Sequence, residues 1–338
     1  MEDWTGSGFE AMISSCSSSR LPAQEPARLP RLPQAHGVLV LNKPRGPSSA
    51  RCLTALKRLG QKKIGHAGTL DPMASGVLLV LLGHATKIAG HLLTDGGKVY
   101  SGALRIGEST DTWDAEGAVV TTSAWDGVTE DAVRREIARW RGVSEQPVPP
   151  YSAAKHQGQP LYKLARAGKA APEKVKRIEI SHAETLEVSL PYVRFRVSCS
   201  SGTYIRSLAH SLGMRLGCGA VLTELTREYS HPFGLDVSHT LEEIAAAPER
   251  LPEWVLPVTR ALPHWPVFTL GPEEEGRLRN GVSLPCGVTR REGAAAPDIC
   301  PGEKAVLQAR DGSPLALVQA ASAPRGLVWT VVRGLWTL

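Results

Sequence analysis

"GHAGTLDPMASGVLLVLLGHATK", residues 65–87, decides how this chain is read. Its second half, Val77–Leu82, is an unbroken apolar run. It is far too short to cross a bilayer, which needs about 20 residues, and reads as a strand buried on both faces. Its first half is a glycine-rich loop that holds one carboxylate, Asp71, followed by Pro72. Proline pushes the residue before it toward an extended backbone, and the small neighbours permit close approach by a ligand. A loop Asp by itself is most often a turn former or a helix cap. The alternative is a carboxylate held where a substrate needs it.

The surrounding chain reads as alternating strands and helices. "HGVLVLNKP" is a strand ended by Lys43-Pro44, and "SSARCLTALKRLG" is a helix capped by Ser48 or Ser49 and stopped by Gly60. Its Leu53, Leu56 and Leu59 fall near helical spacing. "ATKIAGHLLTD" reads as helical and "KVYSGALRIG" as a strand. "TEDAVRREIARWRG" has Thr129 as cap, acids in the first turn, and Val133, Ile137 and Trp140 on one face. In "YVRFRVSCSSG", Val193, Phe195, Val197 and Cys199 alternate with Arg194 and Arg196. "TYIRSLAHSLGMRLG" follows as a helix with Ile205, Leu208, Ala209, Leu212 and Leu216 inward.

The organisation expected is a Ser- and Pro-rich flexible extension over 1–36, a main domain over 37–262, and a small all-β domain over 263–338. Arg310–Gly312 is a hairpin turn in the last, and "REGAAAPDICPG" a loop. The extension lacks a continuous apolar core, so no secretory signal is expected. Six scattered cysteines form no C-x-x-C pair, which argues against zinc and fits reduced thiols in the cytoplasm.

Lys and Arg number 39 against 33 acids, a net charge of +6. The excess is concentrated: residues 151–180 carry seven Lys/Arg and two acids, and residues 51–66 carry five with no acid. Such a stripe is either a solvated face or the footprint of a polyanion such as RNA. Walker A, dinucleotide-binding, nucleophile-elbow and zinc-protease motifs are all absent, so no cofactor or metal is expected.

With those motifs set aside, the residue 65–87 block closely resembles the signature of the TruB-type tRNA pseudouridine synthases. The resemblance continues in "LNKPRGPSS", "KVYSGALRIGESTDTWDAEG", "PPYSAAKHQGQPLYKLARAG" and "SCSSGTYIRSLAHSLG". These blocks stand in the family's order between Gly37 and His239.

The resemblance implies an α+β core: a mainly antiparallel curved sheet flanked by helices, with a small C-terminal β-barrel-like PUA domain. That last domain matches best in "GRLRNGVSLP". It implies isomerisation of the T-loop uridine at position 55 of tRNA by base flipping, without cofactor or metal, by a monomer with no obligatory protein partner. Asp71 matches the catalytic aspartate, and Arg206 the arginine that pairs with it. Tyr100 matches the tyrosine that stacks on the uracil and takes the C5 proton. Tyr204 and Leu225 match positions lining the base pocket, and His66 the histidine that fills the space left by the flipped base. Lys155, His156, Tyr162, Lys163 and Arg166 belong to an RNA-gripping insertion over about 147–172. The cleft is expected between the Asp71 loop and the helix start at Tyr204.

Two departures stand out: His210 replaces an acid common in relatives, and "LTR" at 225–227 replaces a more basic pair. Two alternatives remain at this level: a non-catalytic tRNA-binding or folding protein, and a guide-dependent rRNA pseudouridine synthase. The insertion argues against the second.

Overall fold

A computed structural model of the chain describes residues 31–94, 96–167, 174–288 and 299–336. The first 30 residues, part of the insertion and most of the loop expected at 291–302 lie outside them.

The main domain is built on a nine-stranded sheet. Its path runs Ile180–Ser189, Tyr192–Ser200, Gly97–Ile106, Ala220–Ser230, Ala74–Leu82, Gly37–Lys43, Val255–Leu256. Ile64–Ala67 adds to Ala74–Leu82, and Phe233–Gly234 to Ala220–Ser230. Within this sheet all pairings are antiparallel except Ala220–Ser230 with Ala74–Leu82, where Leu225 faces Ala74 in parallel register. The expected α+β core with a largely antiparallel sheet is what the chain forms.

The apolar run at 77–82 is explained by its place. Leu78, Val80 and Leu82 enter one core, and Val77, Leu79 and Leu81 the other. Both faces of this strand are covered, so period-2 alternation gives no polar side. Truncating either set to Ala would cost about 2–5 kcal/mol per leucine.

The first core also takes Leu53 and Leu56 of helix Ser49–Arg58, and Val133, Ile137 and Trp140 from the helix at Glu130–Ala138 and the turn after it. It takes Ile205, Leu208, Ala209 and Leu212 from helix Ile205–Leu216. Thr129 caps its helix by accepting from the Ala132 N–H, and Ser48 does the same for Arg51. The second core takes Ala85 and Ile88 from the 3-10 helix Gly83–Ile88 and Leu92 from the α-helix Ala89–Thr94, which follow the strand Ala74–Leu82.

At the C-terminus a five-stranded sheet runs Val267–Thr269, Lys304–Gln308, Pro314–Ala323, Gly326–Gly334, Leu284–Pro285. The hairpin at Arg310–Gly312 forms, closed by Ala309 N–H donating to the Ser313 carbonyl at 2.9 Å. Two readings need correction. The C-terminal part is not all-β, because Pro272–Arg279 is a helix. It starts on proline, has three glutamates in its first turn and arginines in its last, and buries only Leu278. With so little apolar periodicity, its proline start and end charges were the available signal. Residues 31–36 are also not a free extension. Leu32 N–H donates to the Leu59 carbonyl, Gln34 bonds Gln61 and Lys63, and His36 stacks on His84. Val306, Leu317 and Leu335 share the second core with Val38 and Val40, so the C-terminal sheet packs on the back of the central one.

Candidate active site

The loop that carries Asp71 is pinned from several directions. Ser49, freed from capping by Ser48, donates to the Leu70 carbonyl and accepts from the Leu70 N–H, both at 3.0 Å. Lys43 is fully buried at the end of its strand and donates to the carbonyls of Pro44, Pro72 and Ala74, the last at 2.6 Å. Gly46 N–H donates to the Pro72 carbonyl at 2.8 Å. After the loop the chain needs glycine: Gly76 has φ of 100°, and a Cβ there would lie 2.3 Å from the Arg227 carbonyl oxygen.

Asp71 therefore projects from a fixed backbone. Its Oδ2 lies 2.9 Å from Nε of Arg206, and the side chains are 36% and 4% exposed respectively. The carboxylate faces the cleft and the guanidinium is sealed behind it. Arg206 is held from its other end: Nη1 donates to the Thr112 carbonyl at 2.9 Å and Nη2 to the Tyr151 carbonyl at 3.0 Å. Asp114 Oδ2 lies 3.6 Å from Nη1 and is itself buried. Asp114 Oδ1 accepts from Thr112 Oγ1 at 2.6 Å and from the Glu116 N–H, which aims Oδ2 at the guanidinium. A planar fork with several donors is the side chain suited to such a set of acceptors.

A cleft of about 390 Å³ opens over Asp71, with Tyr100, Tyr204, Leu225, Lys98, Lys176 and Arg227 among its walls. It lies between the Asp71 loop and the helix start at Tyr204, as expected. Tyr100 sits opposite Val197 on one side and Arg227 on the other in the sheet register. Burial pushes its phenol pKa up, and the Arg227 guanidinium beside it works against that rise. Burial likewise raises Tyr204. The backbone of Tyr204 is clamped by the buried Gln146 side chain, which accepts from its N–H and donates to its carbonyl.

Sequence reasoning missed a set of buried cations. Arg227 is 1% exposed and donates from Nε to the Val77 carbonyl at 2.7 Å and from Nη2 to the Gly68 carbonyl at 2.9 Å. Lys98, also buried, donates to Ser201 Oγ at 2.9 Å. Burial, with Arg227 adding repulsion, pulls its pKa down to about 8. Both stand in quoted blocks, "LTR" and "KVY", but a strand lysine or arginine reads as solvated until the fold covers it.

His66 is not among the cleft walls. It lies on the strand Ile64–Ala67, opposite Val80, half-buried, with burial and Arg227 lowering its pKa. Its Nδ1 is buried without a hydrogen-bond partner. In the insertion, Lys155–His156 and Gln159–Pro160 form a small hairpin that leads into helix Leu161–Arg166. Tyr162 N–H donates to the Ser152 carbonyl, and Ser152 and Ala153 reach the cleft while Tyr162 does not. The side chains of Lys155, His156 and Arg166 lie outside the described structure.

Among the described residues no group of three or more His, Cys, Asp or Glu is placed to hold a metal. No helix among them is long and apolar enough to cross a membrane.

Residues 57–205 match the family described as TruB family pseudouridylate synthase, N terminal domain. The tRNA pseudouridine synthase B of Nitratidesulfovibrio vulgaris strain Miyazaki F is 62% identical over 304 residues, covering 90% of this chain and 98% of that protein. The tRNA pseudouridine synthase B of Oleidesulfovibrio alaskensis is 61% identical over 306 residues, with the same coverage of 90% and 98%. Among solved structures, a Cbf5-Nop10-Gar1 complex has a chain that matches with a TM-score of 0.63 at 25% identity, covering 89% of this chain and 85% of that one. The H/ACA RNP bound to a substrate RNA containing 2'-deoxyuridine has the same fold in a chain with a TM-score of 0.63 at 24% identity, again covering 89% and 85%. The chain belongs to the TruB family of pseudouridylate synthases.

Proposed function

We propose that this protein converts uridine to pseudouridine in tRNA, at position 55 in the T-loop, acting alone on its RNA and in the cytoplasm. The observation that carries the reading is the Asp71–Arg206 pair at 2.9 Å on the floor of a cleft walled by Tyr100, Tyr204 and Leu225. The relatives over 60% identical along nearly their whole length are tRNA enzymes by name. That favours tRNA over a guide-directed substrate, since the H/ACA RNP and the Cbf5-Nop10-Gar1 complex share only the fold at this distance.

The reaction breaks the N1–C1′ bond and forms a C5–C1′ bond. The C5 proton leaves and N1 gains one, so atoms and electrons balance within the nucleotide. Uridine in a folded T-loop must first be everted, at a cost of a few kcal/mol. The flipped uracil stacks on Tyr100, with Leu225 and Tyr204 closing the slot. His66 takes the vacated place in the RNA and offsets part of the cost. Asp71 meets the nucleotide at the sugar–base junction, as nucleophile or base. Arg206 orients the carboxylate and cannot give up its own proton. Tyr100 is placed to take the C5 proton. Lys98, Lys176 and Arg227 give the cleft the positive potential a phosphodiester requires. The insertion around 151–167 grips the T-arm, with Lys155, His156, Tyr162 and Arg166 as contacts, and the C-terminal sheet works as a PUA-like RNA contact toward the acceptor stem.

The test is incubation of purified protein with an unmodified tRNA transcript, followed by site mapping of pseudouridine. Wild type converts the T-loop uridine. Asp71→Asn binds the transcript with similar affinity and yields none. Comparable turnover by the Asn variant removes Asp71 from the chemistry, and product at another site refutes the T-loop assignment.

A further inference from the structure

Arg206 and His210 lie four residues apart on the helix Ile205–Leu216, and so on one side of it. Against that side rests the turn that follows the short strand Glu108–Thr110. Its Thr112 carbonyl and Asp114 carboxylate both meet Arg206 Nη1. Between those two residues stands Trp113, with a left-handed backbone at φ of 64°. A bulky side chain resists that conformation, which glycine or asparagine adopts more readily. The indole lies flat on the His210 imidazole, with ring centres 4.3 Å apart and planes 5° from parallel. Burial lowers the pKa of His210, which keeps the stacked ring neutral near pH 7.

The turn is therefore tied to the helix at two levels, one helical turn apart. One tie runs through the charge of Arg206 and the other through two flat rings. Neither ring is among the walls of the cleft. The stack adds no charge beside Asp71; what it fixes is the spacing between turn and helix.

We propose that Trp113 and His210 are positioning residues, whose stack holds the Thr112–Asp114 turn against the helix so that Arg206 keeps Asp71 in its working orientation. The kinetic part of this rests on the pseudouridine-forming reading of the site. It also gives a role to His210, one of the two departures noted in the sequence.

Trp113→Gly separates positioning from folding, because glycine relieves the left-handed backbone while removing the ring. The expected result is a Tm unchanged or raised, KM for tRNA within about twofold, and single-turnover kcat lowered about tenfold by a slip of less than an ångström. His210→Ala should give a similar loss, and the double variant no more than either alone. His210→Phe, which keeps a flat ring, should restore most of the rate. A second readout needs no substrate: hydrogen exchange at the Arg206 Nε–H, followed by NMR, should quicken in Trp113→Gly and return toward wild type in His210→Phe. Wild-type kcat and unchanged exchange in Trp113→Gly overturn the proposal. If wild type makes no pseudouridine, the functional reading fails, and the exchange measurement alone decides whether the stack positions Arg206.

Discussion

Arg206→Lys keeps a positive charge at the helix start and removes the fork, so it asks which property the site uses. The guanidinium meets four oxygens: it donates to the Thr112 carbonyl at 2.9 Å and the Tyr151 carbonyl at 3.0 Å, and it is ion-paired with Asp71 Oδ2 at 2.9 Å and Asp114 Oδ2 at 3.6 Å. A lysine ammonium is one nitrogen, and it cannot span them. Hydrogen bonds from a charged donor contribute about 1.5–3 kcal/mol each. Losing the two carbonyl bonds and regaining part of the ion pair should cost roughly 3 kcal/mol of stability. Arg206→Met goes further, because it strips the counter-charge from the buried Asp114, and should cost about 3–5 kcal/mol. A misplacement of about 1 Å in a reacting group lowers turnover by about 10²-fold. With its head sealed from solvent, Arg206 has little surface to offer RNA. The expectation for Arg206→Lys is therefore a kcat about 10²-fold down with KM for tRNA nearly unchanged. Single-turnover release of tritium from C5-labelled uridine in tRNA measures the rate, and urea denaturation the stability. Adding Asp114→Asn to Arg206→Met should recover stability that Asp114→Asn alone does not. A Lys variant with more than about a third of wild-type kcat would refute the reasoning, since charge alone would then suffice to aim Asp71.

Tyr100→Phe should bind tRNA and begin reaction but fail to release the C5 proton; a normal product yield would leave stacking as the only role of this ring. Lys98 makes a pH-dependent prediction. Its folded pKa, about 8, lies below the reference 10.5, so the unfolded chain binds the extra proton between those values. The stability penalty is thus complete below about pH 8 and is relieved as pH rises toward 10.5. The gap corresponds to about 3 kcal/mol. Lys98→Met should then be more stable than wild type at pH 7 by about 1–3 kcal/mol, with the advantage shrinking toward pH 10. An advantage that grows with pH would reverse the assignment. The same variant should bind tRNA more weakly. For wild type, log affinity should fall linearly with log salt as the protein's cations displace counterions from the RNA phosphates, with a shallower slope in Lys98→Met. Salt-independent binding would count against the electrostatic role of the cleft.

What could be read in the sequence was whatever the fold writes as periodicity. The strand Tyr192–Ser200 alternates because one face is buried, and Val193, Phe195, Val197 and Cys199 are on it. The helix Glu130–Ala138 announces itself by cap, charge and Trp140, which packs edge-on against Phe195. The partner strand Ile180–Ser189 buries only Ile180 fully, its other residues being half-buried or exposed, so no apolar pattern marked it strongly. The parallel pairing of Leu225 with Ala74 joins residues 151 apart in sequence, and no local signal encodes it. At the site, Asp71, Tyr100 and Arg206 were reachable through motif resemblance. The groups that hold Arg206 were not, because two of them are backbone carbonyls, of Thr112 and Tyr151, which any residue could supply.

The buried cations share one arrangement, and it bears on the substrate. Lys43, Lys98, Arg206 and Arg227 are all buried. Lys43 is satisfied by three carbonyls, Arg227 by two and Lys98 by a serine hydroxyl. Among the described ion pairs, the carboxylates that meet any of the four are Asp71 and Asp114, and both meet Arg206. A carbonyl satisfies a donor as well as a carboxylate does, but it leaves the charge unneutralised. Holding cations this way costs stability, as the lowered pKa of Lys98 records. It also leaves the site cationic in a low dielectric, where field lines concentrate toward the opening. An enzyme for a small neutral substrate would gain nothing from that cost. A cleft that must draw one nucleotide of a polyanion out of its stack gains attraction for the phosphodiester on either side of it, while Asp71 on the floor keeps Arg206 as its partner.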